Sequence, residues 1–214
     1  MSSHEDRPMP SMRGVFHVYG FYAFLIAGVA LVALAKDTEV RWVAAGYVSS
    51  IIALFGISAI YHRYPWSDKI RPWIRRLDHS MIFVSIAGSL SPFVFSLGGE
   101  KAVWVTQVIW LGVACGVLAK IFWIDAPDWV SSTMYVAVAW VSVFVFPDMV
   151  DVLGWYAVTL IMLGGVFYSV GAVVYALNRP DPWPNVFGYH EIFHILVLMG
   201  AGTHFGAVAY FVVM

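Results

Sequence analysis

Apolar residues run along this chain in seven long blocks, with polar residues gathered in the short gaps between them. The blocks are Val15–Ala35, Trp42–Tyr61, Met81–Leu97, Ala102–Trp123, Val130–Phe146, Val152–Leu177 and His190–Met214. A helix needs about 20 mostly apolar residues to cross the hydrocarbon of a bilayer, with a range of roughly 17–25, and each block meets that need. The gaps carry turn-forming residues: Lys36-Asp37, Gly98-Gly99-Glu100, Asp125-Ala126-Pro127-Asp128 and Pro180-Asp181-Pro182, which interrupt helices. The pattern predicts an all-α integral membrane protein, a seven-transmembrane helix bundle over residues 15–214, preceded by a polar, disordered N-terminus over residues 1–14. Trp42, Trp104, Trp123, Trp129 and Trp155 fall at predicted span ends, where an aromatic belt meets the headgroups. Ala33-Leu34-Ala35 resembles a signal-peptidase site. The apolar run before it, about 20 residues, exceeds the ~7–15 of a signal peptide's core, so the first span is read as retained.

Composition agrees and narrows the class. Hydrophobic residues make up 61% of the 214, and the mean hydropathy is +0.78, against ~45–50% apolar in soluble domains. Charged residues are 12%, half the usual ~25%. Such a chain cannot cover its surface with polar groups, so membrane lipids must be its solvent and its first partners. A net charge of −1 gives no basic footprint for a nucleic-acid partner. Cys115 is the single cysteine and lies in an apolar block, which removes a disulfide framework and a cysteine zinc cluster. Orientation follows from lysine and arginine counts in alternate loops. The N-terminus and the second, fourth and sixth loops hold nine: Arg7, Arg13, Arg63, Lys69, Arg71, Arg75, Arg76, Lys120 and Arg179. The opposite side holds three, Lys36, Arg41 and Lys101. The bias predicts a cytoplasmic N-terminus and an outside C-terminus, opposite to the G-protein-coupled receptors. The run from Lys69 to Arg76 reads as a topology signal and a headgroup contact.

Ionisable side chains inside spans are costly and mark function by default. His62 ends the second span, Asp78 opens the third, and His190 and His194 open the seventh, so all four are expected at one cytoplasmic level. His190 and His194 stand at i and i+4, which projects both imidazoles from one helix face. Ser58 and His62 repeat that spacing, placing a hydroxyl one turn deeper than the imidazole. Three imidazoles from His62, His190 and His194 would leave one position of a tetrahedral zinc open to water, the pattern of a catalytic site. Such water has a pKa of about 7. Asp78 would then serve as base or orienter, with Ser58 holding the water or Asp78. His79 would point about 100° from Asp78 and is not counted as a ligand. His204 lies about 15 Å beyond His194 along a helix and reads as a satisfied polar group within the bundle. His17, at the start of the first span, fits a bystander and a supporting role equally. Glu191 stands on a different face from the two histidines beside it. His190-Glu191-Ile192-Phe193-His194 also matches the metalloprotease helix H-E-x-x-H, but proteolysis explains neither His62 nor the Ser58 and Asp78 pair.

These residues resemble the haemolysin III family, the bacterial branch of the progestin and adipoQ receptor family that includes the adiponectin receptors. Ser58-Ala59-Ile60-Tyr61-His62 is similar to its S-x-x-Y-H ending of the second helix. Leu77-Asp78-His79-Ser80 and Ile86-Ala87-Gly88-Ser89-Leu90-Ser91-Pro92-Phe93 resemble its third-helix signature, with Ser89 and Ser91 where threonines are usual. Leu163 to Ala172 resembles the sixth-helix segment, and His190 to His194 with His204-Phe205 the closing motif. The resemblance runs from about His17 to the C-terminus, is weakest in the first helix, and implies zinc on His62, His190 and His194 with Ser58 and Asp78 around a bound water. It also implies ceramidase-like hydrolysis of a lipid amide or ester and a role in membrane lipid homeostasis. The short N-terminus, beside the long cytoplasmic extensions of the animal receptors, looks like that of a bacterial inner-membrane protein. A receptor or lipid sensor with a structural zinc, and a pore-forming haemolysin, are the competing expectations. The pore has few polar residues through the depth of the spans to line it.

Overall fold

A computed structural model describes residues 10–213, and among them the chain is helical, with no strand beyond one isolated bridge pair, Trp183 and Phe187. The helices are α1 (Val15–Leu34), α2 (Thr38–Arg63), α3 (Arg71–Leu97), α4 (Gly99–Phe122), α5 (Asp128–Trp140), α6 (Phe146–Leu177) and α7 (Tyr189–Val213). Six apolar segments are long enough to cross a membrane: α1 to α4, the continuous stretch Asp128–Leu177 that holds α5 and α6, and α7. The chain is a multi-pass integral membrane protein. Residues 1–9 of the N-terminus expected to be disordered lie outside the described residues, as does Met214 of the last predicted span.

Local chemistry sets the helix ends. Asp37 accepts a 2.8 Å hydrogen bond from the Val40 N–H, satisfying a donor that the first turn of α2 leaves free. Arg71-Pro72 starts α3, where a missing N–H costs nothing. Gly98 and Gly99, at φ of +62° and +68°, turn the chain from α3 into α4 through backbone conformations that glycine adopts without strain.

Four expectations need correction. α3 starts at Arg71, ten residues before the predicted Met81, so Asp78 stands two turns inside that helix. The polar residues that masked this extension have partners: Arg75 Nη1 bonds Asp125 at 2.8 Å, and Arg76 Nε bonds the Ile121 carbonyl at 3.0 Å, near the end of α4 where free carbonyls favour cations. The fifth and sixth blocks are joined without a loop. A short 3-10 segment, Val141–Val145, leads directly into α6, and Gly154 breaks the helix at φ +76°. Lys120, counted with the loop cations, is buried in α4 and donates to Ser131 of α5. Residues 11–14, expected to be disordered, form a turn whose Ser11 and Met12 N–H groups bond the Asn185 and Val186 carbonyls, both at 3.1 Å.

α3 is the central post of the bundle, packing on α2, α4, α5, α6 and α7, while α1 closes the ring between α2 and α7. The outer surface is apolar, with Ile26, Leu111 and Phe144 exposed, and the five belt tryptophans are exposed as well. The interior holds the polar groups, among them Ser80, Ser85 and Ser89 on α3. Helices associating in lipid gain little from apolar burial and rely on close approach at small residues. Gly116 of α4 is one such point, since a methyl there would overlap the fully buried Phe83 ring of α3. Gly116→Ala is expected to cost about 1–3 kcal/mol. Gly46→Ala, with nothing within 4 Å of the added carbon, should be neutral or stabilising by up to ~1 kcal/mol. Thermal unfolding of both variants in detergent measures the contrast, and equal midpoints would sink the packing argument.

Candidate metal centre

The imidazoles of His190 and His194 leave one face of α7 one turn apart, with ring centroids 4.5 Å from each other. His62, on the last turn of α2, faces them from across the bundle, its centroid 4.8 Å from that of His190 and 5.0 Å from that of His194. One ring nitrogen from each of the three lies within 4.8 Å of the others. The His62 and His190 Nε2 atoms are 3.2 Å apart. Ligands at the ~2.0–2.1 Å bond length of zinc–imidazole stand about 3.3 Å from one another in a tetrahedron, so that pair already has the spacing of two ligands on one ion. His194 Nδ1 is buried without a hydrogen-bond partner among the described residues. The three residues are thus a buried to half-buried group able to hold a metal ion.

Around this group stand the other predicted residues. Asp78 is buried, with Oδ2 3.9 Å from His62 Nε2. Ser58, also buried, shares a 2.8 Å hydrogen bond with His17 Nδ1. His17, which fits two roles on sequence alone, stands against two of these residues. Its ring stacks on His194 with centroids 3.7 Å apart and planes 14° from parallel, which ties α1 to α2 and α7 at this level. The sequence signal for it was only a lone histidine entering an apolar block. Gly14, at φ +77°, lets the chain pass against His62, where a side chain would meet its Cβ at 2.7 Å.

Glu191 is fully buried and takes no part in the triad. Its carboxylate accepts from Arg13 Nε at 2.5 Å and from the Gly188 N–H at 2.8 Å. The second bond reaches back to the residue before α7, as in a capping box. The H-E-x-x-H pattern therefore has its histidines in the triad and its glutamate on the turn before α1. This clamp was missed at the sequence level, where Arg13 counted only as a topology charge. His79 stays outside the triad, its carbonyl accepting from Tyr135 at 3.4 Å. His204 lies deeper and donates from Nε2 to the Ile161 carbonyl at 3.0 Å.

A mostly apolar cavity of about 290 Å³ begins at this centre and runs into the bundle. His17, Ser58, Asp78, His190 and His194 line one end, and Ser89, Tyr168 and His204 line it farther in. A cavity that is polar at the triad and apolar beyond it can take a molecule with a polar head and an apolar chain.

The sequence is similar to those of several known proteins. The chain is 26% identical over 203 residues to the hemolysin-3 homolog of Bacillus subtilis (strain 168), covering 93% of this chain and 92% of that protein. It is 28% identical over 167 residues to hemolysin-3 of Bacillus cereus, covering 78% and 73%. The adiponectin receptor protein of Drosophila melanogaster is 25% identical over 242 aligned positions, which take in 94% of this chain and 54% of the receptor. The pattern described as haemolysin-III related matches residues 6–205, and the chain belongs to that family.

Proposed function

We propose that this protein is a zinc-dependent membrane hydrolase, ceramidase-like in cleaving a lipid amide or ester bond, and that it serves membrane lipid homeostasis. One observation carries the reading: three converging imidazoles stand at one end of an apolar cavity, with a carboxylate and a hydroxyl lining the same end. Three nitrogen donors suit zinc better than magnesium or calcium and leave a coordination position open. Zinc held by His62, His190 and His194 supplies Lewis acidity and makes water nucleophilic near neutral pH. Asp78 takes the proton of the attacking water and passes it to the leaving group. Ser58, its hydroxyl aligned by His17, orients that water or Asp78. The apolar walls hold the lipid chain and exclude bulk water from the reacting end.

The reading includes seven crossings. As a single helix, the 50 residues of Asp128–Leu177 would measure about 75 Å, against a hydrocarbon core of about 30 Å, and α5 packs against α6 as a hairpin does. It also includes a cytoplasmic N-terminus, which sets the metal centre at the cytoplasmic leaflet of a bacterial inner membrane. The second reading is a lipid sensor whose zinc is structural. It is favoured by the division of the triad between α2 and α7, which one ion would lock together.

Elemental analysis of detergent-purified protein should find about one zinc per chain, lost in His194→Ala; a wild type free of zinc after chelator-free purification would overturn the assignment. With zinc retained, Asp78→Asn should lower turnover of an amide lipid such as ceramide by at least ~10²-fold. Unchanged turnover would remove Asp78 from the chemistry, and a zinc-loaded wild type that cleaves no amide or ester lipid transfers the case to the sensor. Single cysteines at Ser67 and Glu100, tested with a membrane-impermeant thiol reagent in a Cys115→Ala background, should label from opposite faces, Ser67 from the cytoplasm. Labelling of Ser67 from outside reverses the topology.

A further inference from the structure

The cavity is polar a second time, well inside the bundle. His204 follows His194 by ten residues on α7, and Ser89 follows Asp78 by eleven on α3. At 1.5 Å per residue both stand about 15 Å deeper than the metal centre, and Tyr168 of α6 joins them on the cavity wall. The placement is built from both sides. A methyl on Gly164 of α6 would overlap the His204 ring, and one on Gly200 of α7 would come within 2.8 Å of the Tyr168 ring. Each helix thus gives up a side chain so that an aromatic ring of the other can lie against it. The two rings meet edge to face, with centroids 5.3 Å apart.

The hydrogen bonding of His204 defines what this place can bind. A carbonyl oxygen only accepts, so the 3.0 Å bond to Ile161 puts the ring proton on Nε2. A neutral imidazole that donates from one nitrogen carries a lone pair on the other. That nitrogen, Nδ1, is buried and has no partner among the described residues. An unmatched acceptor in a low-dielectric interior is costly, and a donor supplied by a ligand recovers that cost.

We infer that His204, with the Tyr168 ring against it and Ser89 on the same cavity wall, forms a specificity site for a hydroxyl group carried partway along the chain of the lipid in the cavity. The inference rests on the proposed lipid-binding role of the cavity but not on zinc or on cleavage. It assigns selectivity between hydroxylated and plain acyl chains to a residue far from the metal centre. A hydroxyl donates to Nδ1, whereas a keto oxygen at the same carbon can only accept and leaves Nδ1 unmatched.

Equilibrium binding to the full-length detergent-purified protein tests this with octadecanoate, 12-hydroxyoctadecanoate and 12-oxooctadecanoate, by competition against a fluorescent fatty acid. The wild type should bind the hydroxy chain about tenfold more tightly than the plain chain, as one hydrogen bond allows, and should show no such preference for the keto chain. His204→Phe should keep affinity for the plain chain and lose the preference. Equal affinities for all three ligands in the wild type, or a preference that persists in His204→Phe, would overturn the inference. The keto comparison needs no variant, so it decides even if His204→Phe fails to fold. No binding of any chain would overturn the inference together with the lipid-cavity reading. Hydroxyl selectivity without hydrolysis would uphold this site and sink only the hydrolase.

Discussion

Hydrocarbon offers no hydrogen bonds, and that constraint decides where the polar side chains of this protein stand. In water a histidine at a helix end needs no neighbour; in a bilayer it must find its partner inside the protein or remain unpaired at a cost of several kcal/mol. The outer faces of the helices are accordingly apolar, and the buried polar groups collect where several helices meet. α3 touches every helix except α1 and buries Asp78, Ser80, Ser85 and Ser89. The histidines of α1, α2 and α7 complete the cluster at one end. The same groups that fit poorly in lipid therefore hold the bundle in register at the level of its candidate chemistry.

The end of α7 shows how local and tertiary structure share one residue. A helix N-terminus leaves four N–H groups without partners inside the helix, and here Glu191 reaches back to the Gly188 N–H. Its charge would be costly at zero exposure if it stood alone. Arg13 meets it from the turn before α1, and the same turn is bonded to the segment that leads into α7. The N-terminal segment is thereby fastened beside His190 and His194, and the rotation of α7 that aims those imidazoles at His62 is held by an interaction on the adjacent face of the helix.

Much of this was legible in the sequence because it depends on two simple periods. Block length reveals helices that must cross a fixed thickness, and i,i+4 spacing reveals residues that share a face, so His190, His194, His62, Ser58 and Asp78 could all be placed at one level. What stayed hidden depends on contacts between distant segments. The first two turns of α3 contain Arg71, Arg75 and Arg76 and do not read as a span, because nothing local announces that Asp125 and the Ile121 carbonyl await two of them. The join between α5 and α6 looked like a loop, since a 3-10 segment and one left-handed glycine leave almost no mark on an apolar sequence. His17 could not be assigned, as its importance lies in a ring that it stacks on and a hydroxyl that it binds, 177 and 41 positions away.

The geometry of the three imidazoles bears on why a metal, rather than hydrogen bonding, is the natural way to satisfy them. Neutral imidazoles have one donor and one acceptor each, and a single proton can serve only one pair of facing nitrogens. The 3.2 Å contact between His62 and His190 can be satisfied in that way, but the third nitrogen of the triangle then has nothing to share. Among the described residues His194 Nδ1 also has no hydrogen-bond partner, and the His17 ring covers one face of the His194 ring. A cation accepts electron density from all three lone pairs at once, which no arrangement of shared protons among three rings can do. It would also add positive charge close to Asp78, whose carboxylate is buried and, among the described residues, has His62 at 3.9 Å as its possible counter-charge. One ion held there would therefore satisfy the imidazoles and balance the carboxylate together, joining the triad and Asp78 into a single electrostatic unit.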